Sequence, residues 1–184
     1  MHRIGHTPDD IIRFWFEEIE PKSWFEKDLH VDKMIKQRFG DLLEQAKQGE
    51  LYHWRTCPLG RLAEIIILDQ FSRNIYRDTP AAFAADPMAL TLAQEAVALG
   101  IDNELKPKQV PFLYMPYMHS ESSAIHEVAI VLFSREAAAA NLEFERRHKT
   151  IIDKFGRYPH RNAILGRPST TEELLFLKQP GSSF

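Results

Sequence analysis

Apolar residues recur along this chain every three or four positions, the spacing that places them on one face of an α-helix. No segment alternates apolar and polar residues over a useful length, as a half-buried strand would. Proline and glycine interrupt the pattern at short intervals, so neighbouring helices should run antiparallel. The chain therefore predicts an all-α fold, an antiparallel bundle or array of about seven to eight helices.

Residues typical of helix ends set the predicted boundaries. Thr7-Pro8-Asp9-Asp10 offers an N-cap threonine, a first-turn proline and two acids that the helix dipole favours. Gly49 and Gly100 suit helix C-termini, Asp86-Pro87 suits a helix start, and residues 169–173 resemble a capping box. The predicted helices are 9–20, 31–48, 57–76, 86–100, 120–133, 137–155 and 171–178, with short broken helices in the proline-rich stretch 106–118.

Length and composition indicate one ordinary globular domain. A chain of 184 residues can bury roughly 70% of the surface that its unfolded form exposes. Its 44% hydrophobic and 27% charged residues are typical of such proteins. We expect a single domain over residues 1–184, with residues 1–7 and 179–184 frayed.

Charge, hydropathy and cysteine content exclude several classes of protein. The net charge of -3 argues against a general nucleic-acid binder, and no apolar run is long enough to span a membrane. The N-terminus lacks the apolar core of a signal peptide. Cys57 is the only cysteine, so no intramolecular disulfide can form. We expect a soluble cytoplasmic protein.

The third predicted helix carries a polar face. At 100° per residue, Asp69, Gln70, Arg73, Asn74 and Arg77 fall on one side, opposite an apolar side that should be core. One interpretation is a solvated amphipathic face. The other is a pocket floor where Asp69 orients Arg73 and leaves Arg77 free for an anion, which its fork-shaped guanidinium suits.

The stretch 111–121 ends in His119-Ser120-Glu121, next to Tyr114 and Tyr117. Ser120 is a candidate N-cap for the helix after it. Glu121 shares the azimuth of that helix's apolar stripe, so its carboxylate should be partly buried. A buried carboxylate needs a partner, and an arginine from elsewhere in the chain is the natural one.

Residues 155–167 combine two glycines with Arg157, His160, Arg161, Asn162 and Arg167. Such a donor-rich, irregular stretch has two interpretations. It is either a structural clamp that holds the C-terminal helix through carbonyl and carboxylate contacts, or one wall of an anion-attracting pocket.

The sequence favours neither a metal site nor a nucleophile. The Glu145–His148 pair is one Glu-x-x-His motif, whereas a helical di-iron site uses two and further glutamates. No nucleophile elbow, P-loop or dinucleotide fingerprint is present. We expect no metal and no cofactor, and a core role for His148.

Three blocks of sequence carry a family resemblance: LDQFSRNIYR at 68–77, PFLYMPYMHSE at 111–121, and residues 155–167 with the capping segment behind them. Together they resemble the bacterial and fungal family catalogued as domain of unknown function 924. The resemblance implies an all-helical fold similar to tetratricopeptide repeats, without their consensus, and implies no activity. The family's motif residues fall on Asp69, Gln70, Arg73, Asn74, Arg77, His119, Ser120, Glu121, His160, Arg161 and Asn162. Residues 122–124 (SSA) depart from the more acidic run of the family.

Three functional hypotheses remain open. The preferred one is a pocket that binds an anionic small molecule or acidic peptide through Arg73, Arg77, Arg161 and His160. The second is a hydrolase-type enzyme with His119 or His160 as acid–base and Asp69 or Glu121 as partner, and the third is a structural or protein-interaction module. The oligomeric state is not predicted. The residues assigned to the site are Asp69, Gln70, Arg73, Asn74, Arg77, Tyr114, His119, Glu121, Arg157, His160, Arg161 and Asn162.

Overall fold

The computed structural model describes residues 5–184 and is all-helical, with no strand in that range. Two π-helical segments, Phe14–Glu18 and Ile67–Phe71, continue helices without a break, which gives eight helical rods within residues 5–184. The all-α prediction is confirmed. The α-helices are α1 Pro8–Arg13, α2 Leu29–Lys47, α3 Pro58–Ile66, α4 Ser72–Ile75, α5 Asp86–Ala98, α6 Val110–Met118, α7 Ser123–Phe133, α8 Leu142–Phe155 and α9 Thr171–Phe176.

The central rod is α3, the π-segment Ile67–Phe71 and α4, which run continuously from residue 58 to 75. It contacts α1, α2, α5 and α6. Most of its side chains from residue 62 to 72 are fully buried, because neighbouring helices cover it on several sides. A rod covered in this way carries no solvated face over those residues.

The π-segment changes the predicted orientation of the polar residues. Asp69 and Gln70 are 1% and 7% exposed, so the interpretation of a solvated face is wrong for them. A π-turn inserts one residue into a helix and rotates the residues after it, and such turns are frequent at functional sites. Both side chains consequently contact α6, at His119 and Met115.

Helix α6 is one continuous helix, not the broken helices that its prolines predict. Pro111 lies in the first turn, where its missing N–H needs no partner. Pro116 lies inside the helix, and the residues around it are buried. Packing on several sides keeps the helix intact despite the lost hydrogen bond.

Two predicted helix starts and one predicted N-cap are displaced in the structure. Helix α7 begins at Ser123, not 120, because three carbonyls of the preceding turn accept hydrogen bonds from side chains instead of helical N–H groups. Helix α8 begins at Leu142, after the 3₁₀ segment Glu136–Asn141. Ala85, not Asp86, is the N-cap of α5, and the Asp86 carboxylate binds an arginine instead.

Other predicted helix ends are confirmed. Thr7 caps α1 in a capping box, and Thr170 caps α9 in another. Gly49 and Gly100 both adopt the left-handed conformation after α2 and α5. The C-terminal segment, expected to fray, carries Phe184, whose ring centroid lies 3.8 Å from that of His148. Residues 1–4, also expected to fray, lie outside the described residues.

The main core joins aromatic and aliphatic side chains of α1 and its π-segment, α2, the central rod and α6, and includes Phe14, Trp15, Phe39, Phe71 and Phe112. Over the described range, the structure contains no helix long and apolar enough to cross a membrane. The single-domain assignment and the likeness to tetratricopeptide repeats stay predictions.

Candidate functional site

A cleft of about 360 Å³ opens where the C-terminal end of α6 meets the start of α5. Its walls are largely apolar, and His119, Glu121 and Arg161 are the predicted site residues that line it. Asp86 and Ser120 add the other polar groups. The lining residues are Pro80, Phe83, Ala84, Asp86, Pro87, Leu90, Pro116, His119, Ser120, Glu121, Arg161 and Leu165.

Asp69 and His119 form a hydrogen-bonded pair at this cleft. The Oδ1 atom of Asp69 lies 2.6 Å from Nδ1 of His119. Gln70 donates from Nε2 to the other Asp69 oxygen, also at 2.6 Å. An ionised carboxylate can only accept, so Nδ1 of His119 carries the proton and Nε2 keeps its lone pair. Within the described chain, Nε2 has no hydrogen-bond partner, and His119 is one of the residues that line the cleft.

The surroundings of this pair fix its charge state near neutral pH. Burial and the neighbouring Arg73 charge lower the pKa of His119 below its usual value, outweighing the opposing effect of Asp69. Burial alone would raise the pKa of Asp69, but the charge of Arg73 and the hydrogen bonds that Asp69 accepts from His119 and Gln70 lower it. A neutral His119 beside an ionised Asp69 is the arrangement of a general base.

Arg73 lies behind the pair and is fully engaged by carboxylates. Its Nη1 and Nη2 atoms donate to the two oxygens of Asp86 at 2.8 and 3.0 Å. Nη1 also lies 2.9 Å from the carbonyl oxygen and 3.2 Å from Oδ1 of Asp69. Arg73 therefore neutralises two carboxylates and is absent from the cleft lining.

Arg161 is the arginine that reaches the cleft. Its guanidinium carbon lies 4.5 Å from the ring centroid of Phe83 and 4.7 Å from that of Tyr158, so it is stacked between two aromatic rings. Nη1 reaches Asp86 only at 3.4 Å, and the buried Nε has no partner. Burial, together with the charge of Arg73, lowers the pKa of Arg161.

The turn that carries His119 is held at three successive carbonyls. Tyr158 donates its hydroxyl to the Met118 carbonyl at 2.5 Å, and Arg161 donates Nη2 to the His119 carbonyl at 3.0 Å. His126 Nε2 lies 2.8 Å from the Ser120 carbonyl. The backbone on both sides of His119 is thus fixed by buried side chains.

Two other arginines of 155–167 act as structural clamps. Arg167 makes a bidentate contact with Glu121 at 2.7 and 2.9 Å, so the buried carboxylate has the arginine partner that the sequence predicts. Arg157 makes the same kind of contact with Glu173 of α9 at 2.7 and 2.8 Å. Neither arginine lines the cleft.

The remaining predicted residues lie in other contacts. Arg77 and Asn74 both bind Asp32 of α2, at 2.6–2.8 Å. Tyr114 donates its hydroxyl to Asp102 at 2.7 Å. Asn162 binds Ser169 and Arg167, and His160 is half-buried, with a buried Nδ1 that has no partner. The cleft therefore gathers three of the predicted residues, and Asp69, Gln70 and Arg73 support it from behind.

Sequence reasoning missed several residues of this region. It gives Asp86 only a capping role, although an acid before a first-turn proline also fits an ion pair. It treats Glu145 only as part of a possible metal-ligand motif, and it does not place His126, Phe83 or Tyr158 at the site. Nothing in the sequence brings α7 and α8 together, so the His126–Glu145 contact could not be anticipated.

Comparison with known proteins identifies the family. The model of a bacterial family of unknown function, DUF924, matches residues 11–181, so this chain belongs to that family. A solved structure of a protein of unknown function from Agrobacterium tumefaciens is similar, with 36% sequence identity and a TM-score of 0.88. The match covers 93% of this chain and 96% of that protein. No curated protein matches.

Proposed function

We propose that this DUF924 protein is an acid–base enzyme of the hydrolase type, with His119 as general base and Asp69 as the carboxylate that orients it. One observation carries the proposal. His119 lines the cleft with a side chain that is 15% exposed, and its Nε2 has no hydrogen-bond partner among the described residues, whereas Asp86 and Glu121 are each held by an arginine fork. A base needs a free lone pair beside a substrate cavity, and His119 supplies it.

The reaction that suits this geometry is attack of water on an acyl carbon. His119 Nε2 takes a proton from the water as its oxygen bonds to the carbonyl carbon. The bond to the leaving group then breaks, and His119 returns the proton to that group. Asp69 keeps Nδ1–H fixed and stabilises the imidazolium that forms in between. Arg161 is the arginine that lines the cleft, and its charge would stabilise a developing oxyanion.

The cleft indicates the kind of substrate. Apolar side chains such as Phe83, Leu90 and Leu165 form much of its wall, and its volume of about 360 Å³ lies at the lower end for small-molecule sites. The two carboxylates that line it, Asp86 and Glu121, are already paired with arginines. A small acyl compound with an apolar body is therefore the substrate class that fits best.

Ester hydrolysis by matched variants tests the proposal. Purified wild-type protein is assayed with short-chain p-nitrophenyl esters and with small thioesters and amides, next to His119→Gln and Asp69→Asn. His30→Gln is the control, since His30 is exposed on α2. We expect kcat/KM to fall about 10²–10⁴-fold in His119→Gln and to be unchanged in His30→Gln. Equal rates in all variants, or no turnover of any compound, would contradict the proposal.

A second candidate is binding of an anionic small molecule at Arg161, without chemistry. It is favoured by the incomplete pairing of this guanidinium, whose Nε lacks a partner and whose contact with Asp86 is long. Thermal shifts with small carboxylates and inorganic phosphate separate the two candidates. Ligand-induced Tm shifts that are lost in Arg161→Lys but kept in His119→Gln would support anion binding without catalysis.

A further inference from the structure

His126 and Glu145 form a second histidine–carboxylate pair, behind the turn that carries His119. Both side chains are 0% exposed, and Nδ1 of His126 lies 2.6 Å from Oε1 of Glu145. His126 comes from α7 and Glu145 from α8, so the pair also joins the two helices. It does not line the cleft, and the proposed reaction does not use it.

Hydrogen-bond chemistry fixes a proton on Nε2 of His126. The Ser120 carbonyl can only accept, so Nε2 of His126 must carry a proton. The hydroxyl proton of Tyr158 goes to the Met118 carbonyl, which leaves the phenolic oxygen free to accept from the same Nε2–H at 3.2 Å. Between Nδ1 and Oε1 there is then one further proton, on either atom. In both arrangements the buried pair has no net charge.

We propose that the His126–Glu145 pair is a positioning device that holds the Met118–Ser120 backbone, and with it His119, in the geometry of a base. The inference rests on the proposed function for its purpose, but the contact itself stands apart from any activity. Glu145 orients the ring and satisfies Nδ1, and the ring delivers Nε2–H to the Ser120 carbonyl. Tyr158 and Arg161 hold the two carbonyls before it.

This positioning matters because Asp69 and His119 come from different helices. Asp69 lies on the central rod, and His119 comes directly after the last residue of α6. Their 2.6 Å contact survives only if the turn stays in place, and a misplacement of about 1 Å can cost on the order of 10²-fold in rate. A fully buried pair whose Nε2–H is fixed holds the turn without exchanging partners with water.

Nitrogen-15 NMR of the histidine rings tests the device in the wild-type protein. We expect Nε2 of His126 to be protonated throughout the pH range in which the protein is folded, and its N–H to exchange slowly with solvent. His119 should be the Nδ1–H tautomer. An unprotonated Nε2 on His126 at any such pH would overturn the proposal, and this measurement needs no variant to fold.

Variants then test whether the pair acts on His119. His126→Phe removes the donor while keeping a ring, and we expect His119 to become a mixture of tautomers and kcat for the best ester to fall at least tenfold, with KM changed less than threefold. Glu145→Gln can donate a hydrogen bond to Nδ1 of His126, so this variant should keep the wild-type His119 tautomer and the wild-type kcat. His148→Phe is the matched control, because this buried histidine bonds only within its own helix, to the Phe144 carbonyl.

The outcomes separate this inference from the proposed function. A folded His126→Phe protein with an unaltered His119 tautomer would refute the positioning role, whatever the activity. Altered tautomers in His126→Phe, together with an absence of ester hydrolysis in the wild type, would support the positioning role and refute the enzyme.

Discussion

From the contact between Glu121 and Arg167 we can predict how much Glu121→Gln lowers the free energy of unfolding. Glu121 accepts two hydrogen bonds from the Arg167 fork and a third from the Tyr158 backbone N–H at 2.7 Å. In Glu121→Gln, the amide oxygen can take the place of Oε1 and accept from Arg167 Nη2 and the Tyr158 N–H. The amide NH₂ then takes the place of Oε2 and faces the Arg167 Nη1 donor. One charge-assisted hydrogen bond is lost and two donors are left opposed, which costs about 2 kcal/mol.

Thermal unfolding measures this cost. For a chain of this size, about 2 kcal/mol lowers Tm by roughly 4–8 °C. Glu127→Gln is the matched control on α7, because Glu127 is a 69% exposed partner of Lys149. An exposed ion pair of this kind contributes at most about 1 kcal/mol, so the Tm of Glu127→Gln should change by no more than roughly 2–4 °C.

The pH dependence of the Tm difference between the wild type and Glu121→Gln is a second test of the contact. Although burial opposes it, hydrogen bonds from Arg167 and the Tyr158 N–H lower the pKa of Glu121 below its ordinary value of 4.5. A carboxylate with a lowered folded pKa stabilises the protein above the unfolded pKa and loses that contribution as pH falls through the folded pKa. The wild type and Glu121→Gln should therefore differ at pH 7 and converge at low pH. A Tm difference no larger than that of Glu127→Gln, or one that does not shrink at low pH, would refute the reasoning.

Further variants test the packing and the charge pairing around the site. Gly60→Ala should destabilise the protein by at least about 2 kcal/mol in urea unfolding, because its Cβ would lie 1.9 Å from the Trp54 carbonyl oxygen. Gly40→Ala, at an open position of α2, should instead stabilise it by about 0.5–1 kcal/mol. Arg73→Met should cost about 3–5 kcal/mol, since the Asp86 carboxylate loses its bidentate partner; a loss below about 1 kcal/mol would contradict this role.

Local sequence signals predict the helices better than the site. The capping boxes at Thr7 and Thr170 depend only on near neighbours, and both are present. The continuity of α6 through Pro116 depends on tertiary packing, which the positions of prolines in a sequence do not reveal. No sequence pattern predicts the π-turn at Ile67–Phe71 either, although this turn determines the orientation of Asp69 and Gln70.

The composition of the polar region is easier to predict than its pairing. The sequence indicates that arginines form ion pairs with carboxylates. It predicts that the partner of Glu121 is an arginine, although it does not predict which arginine. It does not choose among the carboxylates, so it leaves Arg77 free for an anion although Arg77 binds Asp32. Long-range ion pairs depend on which helices are neighbours, and periodicity does not determine this.

The most direct test of the account is the nitrogen-15 NMR titration of His119 in the wild-type protein. The structure predicts the Nδ1–H tautomer near neutral pH and, because burial and the Arg73 charge disfavour the imidazolium, a pKa below the ordinary 6.5. An Nε2–H tautomer, or a pKa at or above 6.5, would contradict the assignment of His119 as a base that Asp69 orients.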